Sequence, residues 1–209
     1  MKLAATIATL VLMLTQAGAG EPFGVATVPT QDETLTAIWH DLQLDIAGDE
    51  SRIASCRAEP NCDSAAAKRF IAIVDEALQH QGRALLGHLN RAVNAAIPIA
   101  RGDVPLYAPL AALTYPGDCK SYAMVKYIAL GDAGVAAADR KIILVWNNAR
   151  PDETHVVAVV REGERWLILD NLTLTLVDST AAYAYQPLHE LGADGVRDFP
   201  PLPPVGGPL

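Results

Sequence analysis

Apolar residues recur at helical spacing through the first part of the chain. This period predicts helices over residues 34–46, from about 65 into the 90s, and over 119–130. Gly82 and Gly87 are expected to break or bend the second of these helices. The first helix has one apolar face, formed by Leu35, Ile38, Trp39, Leu42 and Ile46.

Short apolar runs follow in the second part of the chain, and each has the length of a strand. Residues 141–146, 155–161 and 166–170 form three such runs, and 172–177 and 183–186 are further candidates. Helices that precede a set of successive strands indicate an α+β fold with an antiparallel sheet.

The two ends of the chain differ from the rest. Residues 1–19 combine a positive start, an apolar run and small residues suited to cleavage, which is the layout of a secretory signal peptide. An uncleaved anchor is the alternative. Residues 199–209 are rich in proline and are expected to form a tail outside any helix or sheet. We therefore expect one exported domain over residues 20–198, located in the periplasm or secreted.

The composition excludes several classes of function. The chain has 209 residues, of which 51% are hydrophobic and 19% charged, and this fits one domain with a sizeable core. Its net charge of −8, without a basic stripe, argues against a nucleic-acid partner. The sequence contains no His-Glu-x-x-His and no Cys-x-x-Cys motif, so a zinc enzyme is not expected.

The three cysteines fall into two groups. Cys56 and Cys62 flank a short polar stretch, and in an exported protein such a pair indicates a small structural disulfide. Cys119 is then left over. A remaining thiol in an oxidising compartment is buried, paired between chains or reactive.

Cys119 belongs to a set of residues that could carry out nucleophilic catalysis. It opens the third predicted helix directly after a Pro-Gly turn and Asp118, while His155 begins one predicted strand and Asp170 ends the next. In such a set the thiolate attacks, the imidazole moves a proton and the carboxylate orients the imidazole. Unpaired N–H groups in the first turn of a helix favour the thiolate. The sequence therefore predicts a Cys-His-Asp active site.

The turn between the two strands places two of these residues together. If Glu162 and Gly163 form a two-residue turn, His155 lies directly opposite Asp170. Directly paired residues have Cβ atoms about 4.5–5.5 Å apart. A different turn would shift this register, so the pairing depends on the turn.

Several segments resemble the bacterial transglutaminase-like cysteine proteinases. The resemblance covers most of the chain after residue 19 and is strongest from about 115 to 173. The segments that carry it are Gly117-Asp118-Cys119 with Tyr122-Ala123 and Lys126-Tyr127, His155-Val156-Val157, Leu169-Asp170-Asn171-Leu172, Asn90-Arg91-Ala92-Val93-Asn94, and the Cys56 and Cys62 pair.

This resemblance implies a papain-like or transglutaminase-like core and a cysteine peptidase that works through an acyl-enzyme. Cys119 matches the nucleophile, His155 the general base and Asp170 the orienting acid. Characterised members are periplasmic proteases that cut large surface adhesins, and a membrane receptor that senses cyclic di-GMP holds them in check. The implied partners are a protein substrate of this kind and an inner-membrane regulatory receptor.

Two features depart from the family pattern. The family usually has Asp-Cys-Glu-Asp, whose acidic residues help to bind calcium, but here Lys120 and Ser121 follow Cys119. Only Asp118 remains as a candidate calcium ligand, and calcium takes about six to eight oxygens, so we expect no cofactor and weak or no calcium dependence.

The family's Trp and Glu before the motif are also not evident. The backbone N–H of Cys119 is therefore the expected oxyanion donor, with Tyr107 as an alternative.

Two other functions fit the same residues. A transglutaminase-type acyl transferase would form the same thioester and pass the acyl group to an amine instead of water. A non-catalytic binding module would keep only the fold, and the missing acidic pair and oxyanion donor leave that interpretation open.

Overall fold

The computed structural model describes residues 20–59, 61–102, 104–150 and 153–201. The predicted signal peptide and residues 202–209 of the predicted tail lie outside the described residues. Among the described residues, no helix combines the length and apolar character that crossing a membrane requires.

Helices make up the first part of the chain and strands the second part. The helices are α1 (Glu33–Ala58), α2 (Ala65–Ala77), α3 (Gly82–Ala96), α4 (Pro109–Ala112) and α5 (Cys119–Asp132). The strands are β1 (Val28–Pro29), β2 (Arg140–Asn147), β3 (Thr154–Glu162), β4 (Arg165–Leu169), β5 (Val177–Asp178), β6 (Tyr185–Gly192) and β7 (Gly195–Asp198).

The strands form one antiparallel sheet in the order β1-β7-β6-β2-β3-β4-β5. The predicted strand over 172–177 is reduced to β5, and the one over 183–186 extends to residue 192. β1 and β7 were not predicted, because two-residue and four-residue strands carry too few alternating positions to be recognised.

Helix α1 continues well beyond the predicted end at residue 46. Its apolar face continues at Ile53, which is buried, and a buried Asp49 lies on the same face. The Asp49 carboxylate accepts a hydrogen bond from the backbone N–H of Leu110 (2.8 Å). This polar contact fastens α4 to α1. The second predicted helix is divided into α2 and α3 at Gly82, whose φ of 52° interrupts the helix.

Helix α5 lies at the centre of the molecule. Its ten consecutive residues from Ser121 to Leu130 are all buried, so the helix is covered on every side. A helix that is apolar all round is packed on all faces, and α5 accordingly contacts α3, α4 and the strands β2 and β3. Its first residue, Cys119, is thus held in a fixed position against the sheet.

The sheet has a core on each face. Ala158 and Val160 of β3 face the helices, whereas Val157 and Val159 belong to a second apolar cluster on the opposite face. The chain ends complete this second cluster, since Phe23 packs edge-on against Phe199 with ring centroids 6.0 Å apart.

Residues near both limits of the described chain therefore pack more closely than the sequence suggests. Phe199, assigned to the tail, is buried and donates its backbone N–H to the carbonyl of Leu188 (3.0 Å). Pro22 is also buried, although residues 20–30 lack any regular pattern. Both residues are held by an apolar sheet face that local sequence does not reveal. The predicted disulfide between Cys56 and Cys62 is present, and it joins the end of α1 to the segment before α2.

Candidate active site

The residues predicted to carry the chemistry come together at one end of the sheet. His155 is the second residue of β3, Asp170 directly follows β4, and Cys119 is the first residue of α5. The starts of β3 and β6 and the end of β4 meet at this end, because neighbouring strands are antiparallel.

A parallel backbone bridge between Gly117 and Ile99 positions Cys119 at the start of α5. Gly117 donates its N–H to the carbonyl of Pro98 (2.8 Å), and its own carbonyl accepts from Ala100 (2.9 Å). A Cβ atom at this glycine would lie 2.5 Å from the Cβ of Ser121. Only glycine allows this close approach, so Gly117 fixes the path of the chain into Cys119.

Asp118 caps the N-terminus of α5. Its Oδ1 accepts from the backbone N–H of Lys120 (3.1 Å), and its Oδ2 is 2.5 Å from the Lys120 ammonium nitrogen. The cap satisfies the second N–H of the helix. The N–H of Cys119 itself, at the first helical position, has no carbonyl partner within the helix and faces the helix N-terminus.

His155 links the thiol to the carboxylate. Its Nε2 lies 2.9 Å from Oδ1 of Asp170, and both side chains are buried. The half-buried Cys119 also lies close enough to the ring to raise the pKa of His155. Since Nε2 is engaged by Asp170, Nδ1 is the ring nitrogen left for the thiol.

The predicted register of the hairpin is wrong. Glu162 pairs with Arg165, so the turn consists of Gly163 and Glu164, and Leu169 is opposite Ala158. Gly163 has a φ of 64°, and a two-residue turn of this kind places glycine at its first position. The whole pairing therefore moves by two positions.

His155 and Asp170 still meet after this shift. A shift of two positions keeps every side chain on the same face of the sheet, whereas a shift of one would have reversed it. The two residues become diagonal neighbours, about 7–8 Å apart at the backbone, which a ring and a carboxylate can span.

Asp170 is held in its charged form. Burial opposes that charge, but hydrogen bonds from His155, from the backbone N–H of Leu172 and from the hydroxyl of Tyr185 outweigh it and lower the pKa of Asp170. Asn94 of α3 donates to the backbone carbonyl of Asp170 (2.9 Å) and so fixes the loop from the other side.

The environment also favours the protonated form of His155. Burial disfavours the imidazolium, yet the hydrogen bonds to Asp170 and Cys119 and their negative charges raise the pKa of His155 to about 9. At neutral pH the ring therefore carries a proton that it can give to a leaving group, and it can stabilise a thiolate at Cys119.

Tyr185 is a further member of the site that the sequence analysis did not identify. Its hydroxyl donates to Oδ2 of Asp170 (2.5 Å), and its ring lies 5.6 Å from the ring of His155. Burial and the neighbouring carboxylate raise the pKa of Tyr185, so the hydroxyl remains a donor. No local signal marks this tyrosine, because it approaches Asp170 only through the order of strands in the sheet.

Lys126 is a second such residue, and it is fully buried under the site. Its ammonium donates to the carbonyl of Leu169 (3.3 Å), next to Asp170. Burial lowers the pKa of Lys126 to about 7, against the opposing attraction of Asp170. A lysine two turns below Cys119 in an otherwise apolar helix is a signal that could have identified it.

Tyr107, the alternative oxyanion donor, and the other histidines have contacts outside this cluster. Among the described residues, Tyr107 has its ring contact with Tyr115 (5.6 Å between centroids), and no contact links its hydroxyl to Cys119. His80 packs against His88, and His189 pairs with Asp198 (2.8 Å). Tyr107 is thus not in contact with Cys119, and the backbone N–H of Cys119 remains the expected oxyanion donor.

The residues around Cys119 do not fit a calcium ion. Both oxygens of Asp118 are engaged by Lys120, one of them by its ammonium. Calcium takes about six to eight oxygen ligands, mostly from carboxylates. Within the part of the chain that the structure describes, no group of three or more His, Cys, Asp or Glu side chains is arranged to hold a metal.

Comparison with known protein families shows to which family the chain belongs. The model of the bacterial transglutaminase-like cysteine proteinases, BTLCP, matches residues 54–190, which is more than half of the chain. The chain belongs to this family. It is a cysteine peptidase with the α+β transglutaminase-like fold that the sequence predicted. No curated protein matches it.

Solved structures of LapG from Legionella pneumophila have the same fold. The calcium-bound form matches with a TM-score of 0.57 and 19% identity, and covers 72% of this chain and 87% of LapG. A second LapG structure has a TM-score of 0.58 with the same identity and coverage. The EGTA-treated form has a TM-score of 0.58 and covers 84% of that chain, also at 19% identity.

Proposed function

We propose that this protein hydrolyses peptide bonds with Cys119 as nucleophile, His155 as general acid and base, and Asp170 as the residue that orients the imidazole. The observation that supports this most directly is the buried hydrogen bond between His155 Nε2 and Asp170 Oδ1, at 2.9 Å. It leaves the other ring nitrogen for the thiol of Cys119, which contributes to the raised pKa of His155.

The proposed reaction has two halves. The Cys119 thiolate attacks the carbonyl carbon, the C–N bond breaks, and the imidazolium of His155 gives its proton to the leaving amine. The neutral imidazole then takes a proton from water, the hydroxide attacks the thioester, and the thiolate leaves with the acid product released. The N–H of Cys119 stabilises the oxyanion in both halves.

We propose a protein substrate outside the cytoplasm. The apolar leader over residues 1–19 supports export, and the Cys56–Cys62 disulfide is typical of an oxidising compartment. The family resemblance makes a surface adhesin the candidate substrate and an inner-membrane receptor the candidate regulator. We further propose that catalysis does not require calcium, because the Lys120 ammonium already neutralises Asp118.

Alkylation of the native protein tests the nucleophile before any substrate is known. Iodoacetamide at mildly acidic pH should label Cys119 much faster than a free thiol, because the His155 imidazolium stabilises the thiolate. Intact mass and peptide mapping measure the rate and the position. The His155→Ala variant is the matched control, and it should react slowly.

Cleavage is then measured on a mixture of denatured bacterial envelope proteins by mass spectrometry of new N-termini. The wild type should generate them, and Cys119→Ala should generate none while keeping the wild-type Tm. An added primary amine, dansylcadaverine, distinguishes water from an amine as the acyl acceptor. Labelling that is no faster than a free thiol, or that is indifferent to His155→Ala, would instead support a non-catalytic binding module.

A further inference from the structure

An apolar pocket lies between the helices and the sheet, beside the triad. Its volume is about 210 Å³, and its surface is formed by side chains of α1, α5 and the sheet, with Leu106 from the loop before α4. Trp39 of α1, Met124 of α5 and Leu144 of β2 form its walls.

Two residues of the pocket are chain neighbours of the catalytic pair. Lys120 follows Cys119, and Val156 follows His155. Because successive side chains of a strand point to opposite faces, Val156 faces the helices while His155 lies on the other side of β3. The pocket is thus lined by a chain neighbour of each of Cys119 and His155, although neither of these two residues lines it.

The charged residue at this pocket does not make it polar. The ammonium of Lys120 lies 2.5 Å from an oxygen of Asp118, so the part of its side chain that lines the pocket is the aliphatic stem. The pocket thus offers no charge to pair with a charged ligand.

The rim of the pocket is apolar and open to solvent. Ile38 of α1 is 42% exposed and Leu106 is 37% exposed. Trp146 extends this surface, because it lies two residues after Leu144 on the same face of β2. Large apolar side chains that remain exposed around a concave surface indicate a binding site.

We propose that this pocket binds a bulky apolar side chain of the polypeptide substrate, close to the bond that is cut. The proposal rests on the proposed function, since the pocket selects the substrate for the same thiol. It names the substrate class as a segment with a large aliphatic or aromatic residue near the scissile bond.

A series of N-alkyl chloroacetamides tests the pocket without a peptide substrate. The sulfur of Cys119 displaces chloride and forms a thioether, and the alkyl group can reach the pocket. The alkylation rate should rise about two- to fourfold per methylene from N-methyl to N-hexyl, since each buried methylene favours binding. Rates that are flat along the series would overturn the proposal.

Variants at the rim supply the control. Ile38→Asp and Leu106→Asp should abolish the dependence on chain length and leave the iodoacetamide rate unchanged. Leu44→Asp, on the same helix at a site that is 63% exposed and outside the pocket, should keep the dependence. An unchanged dependence in both rim variants would contradict the proposal. A slow iodoacetamide reaction of the wild type would count against the nucleophile instead, so the two failures are separable.

A digest of a peptide mixture by the wild type identifies the substrate side chain. Leu, Met or Phe should be enriched at one position relative to the cleaved bond, and the enrichment should fall at least several-fold in Leu106→Asp. Cleavage with no apolar preference at any position would overturn the proposal while leaving the peptidase assignment intact.

Discussion

At the scale of single residues, the protonation of His155 sets the pH range of the reaction. Its hydrogen bonds to Asp170 and Cys119 overcome burial and raise its pKa from 6.5 to about 9. The ion pairs that depend on this proton stabilise the fold fully below pH 6.5, and that contribution fades as the pH rises through about 9.

The first prediction concerns the alkaline limb of activity. As the pH rises through about 9, His155 loses the proton that the leaving amine needs, so kcat/KM should fall. A pH profile of kcat/KM measures this limb. In Asp170→Asn the imidazolium loses its carboxylate partner, so the fall in kcat/KM should occur at lower pH. If the fall stays at the same pH, a group other than His155 is responsible for it.

The second prediction concerns Tyr185, a positioning residue. Tyr185→Phe removes the hydroxyl that bonds Asp170 and keeps the ring beside His155. A hydrogen bond to a charged group contributes about 1.5–3 kcal/mol, so kcat should fall by about ten- to 150-fold if that energy is lost in the transition state. KM should stay near the wild-type value, because the hydroxyl touches the triad and not the substrate. A changed KM with an unchanged kcat would assign the tyrosine to substrate binding instead.

At the scale of elements, α5 combines two requirements that conflict. Its buried surface positions Cys119, but the same burial encloses Lys126, whose ammonium has the Leu169 carbonyl as its hydrogen-bond partner. Burying a charge is costly unless it is well paired. The buried Lys126 therefore lowers the stability of the fold, but it places a cation close to Asp170.

The third prediction follows from that cost. Lys126→Met should raise the free energy of unfolding by on the order of 1–3 kcal/mol at pH 7. The pKa of Lys126 is lowered from 10.5 to about 7, so the folded wild type binds fewer protons than the unfolded chain between these values. Wild-type stability should consequently rise with pH there, and the advantage of Lys126→Met should shrink.

Urea unfolding at pH 7 and pH 10 measures this difference. Met124→Leu, two residues earlier on the same helix and uncharged, is the control, and its effect on stability should not vary with pH. Destabilisation by Lys126→Met at both pH values would mean that the bond to Leu169 outweighs the cost of burial.

At the scale of the whole molecule, the sheet is covered on one face by helices and on the other by the two ends of the chain. Contacts that join parts of the fold include the Cys56–Cys62 disulfide and the ring pair of Phe23 and Phe199. An ion that binds only the folded state would stabilise it by RT ln(1 + c/Kd), where c is the ion concentration, so the Tm would rise with ion concentration.

The fourth prediction is that calcium contributes nothing to this stability. Adding EDTA or millimolar calcium should leave the Tm unchanged within about 1 °C, because Lys120 occupies the carboxylate of Asp118. Thermal unfolding followed by circular dichroism measures it. In Lys120→Glu the ammonium is replaced by a second carboxylate, and a rise in Tm with calcium should appear. A fall in the wild-type Tm with EDTA would show that another site binds the ion.

The sequence by itself determined the identity of the central elements and of the three candidate catalytic residues. The apolar positions of α5, β2, β3 and β4 repeat with a clear local period, and Cys119, His155 and Asp170 lie at element ends that such a period delimits. The spacing of Cys56 and Cys62 was likewise sufficient to predict their bond.

Only the tertiary structure decided how these elements meet. The hairpin register depends on which residue takes a positive φ, and Gly163 rather than Glu162 does so. Tyr185 reaches Asp170 through strand order, and Phe199 is buried by a sheet face formed from distant segments. Contacts between residues far apart in the chain leave no local periodicity, so the sequence could supply the three candidate catalytic residues but not the residues that hold them in place.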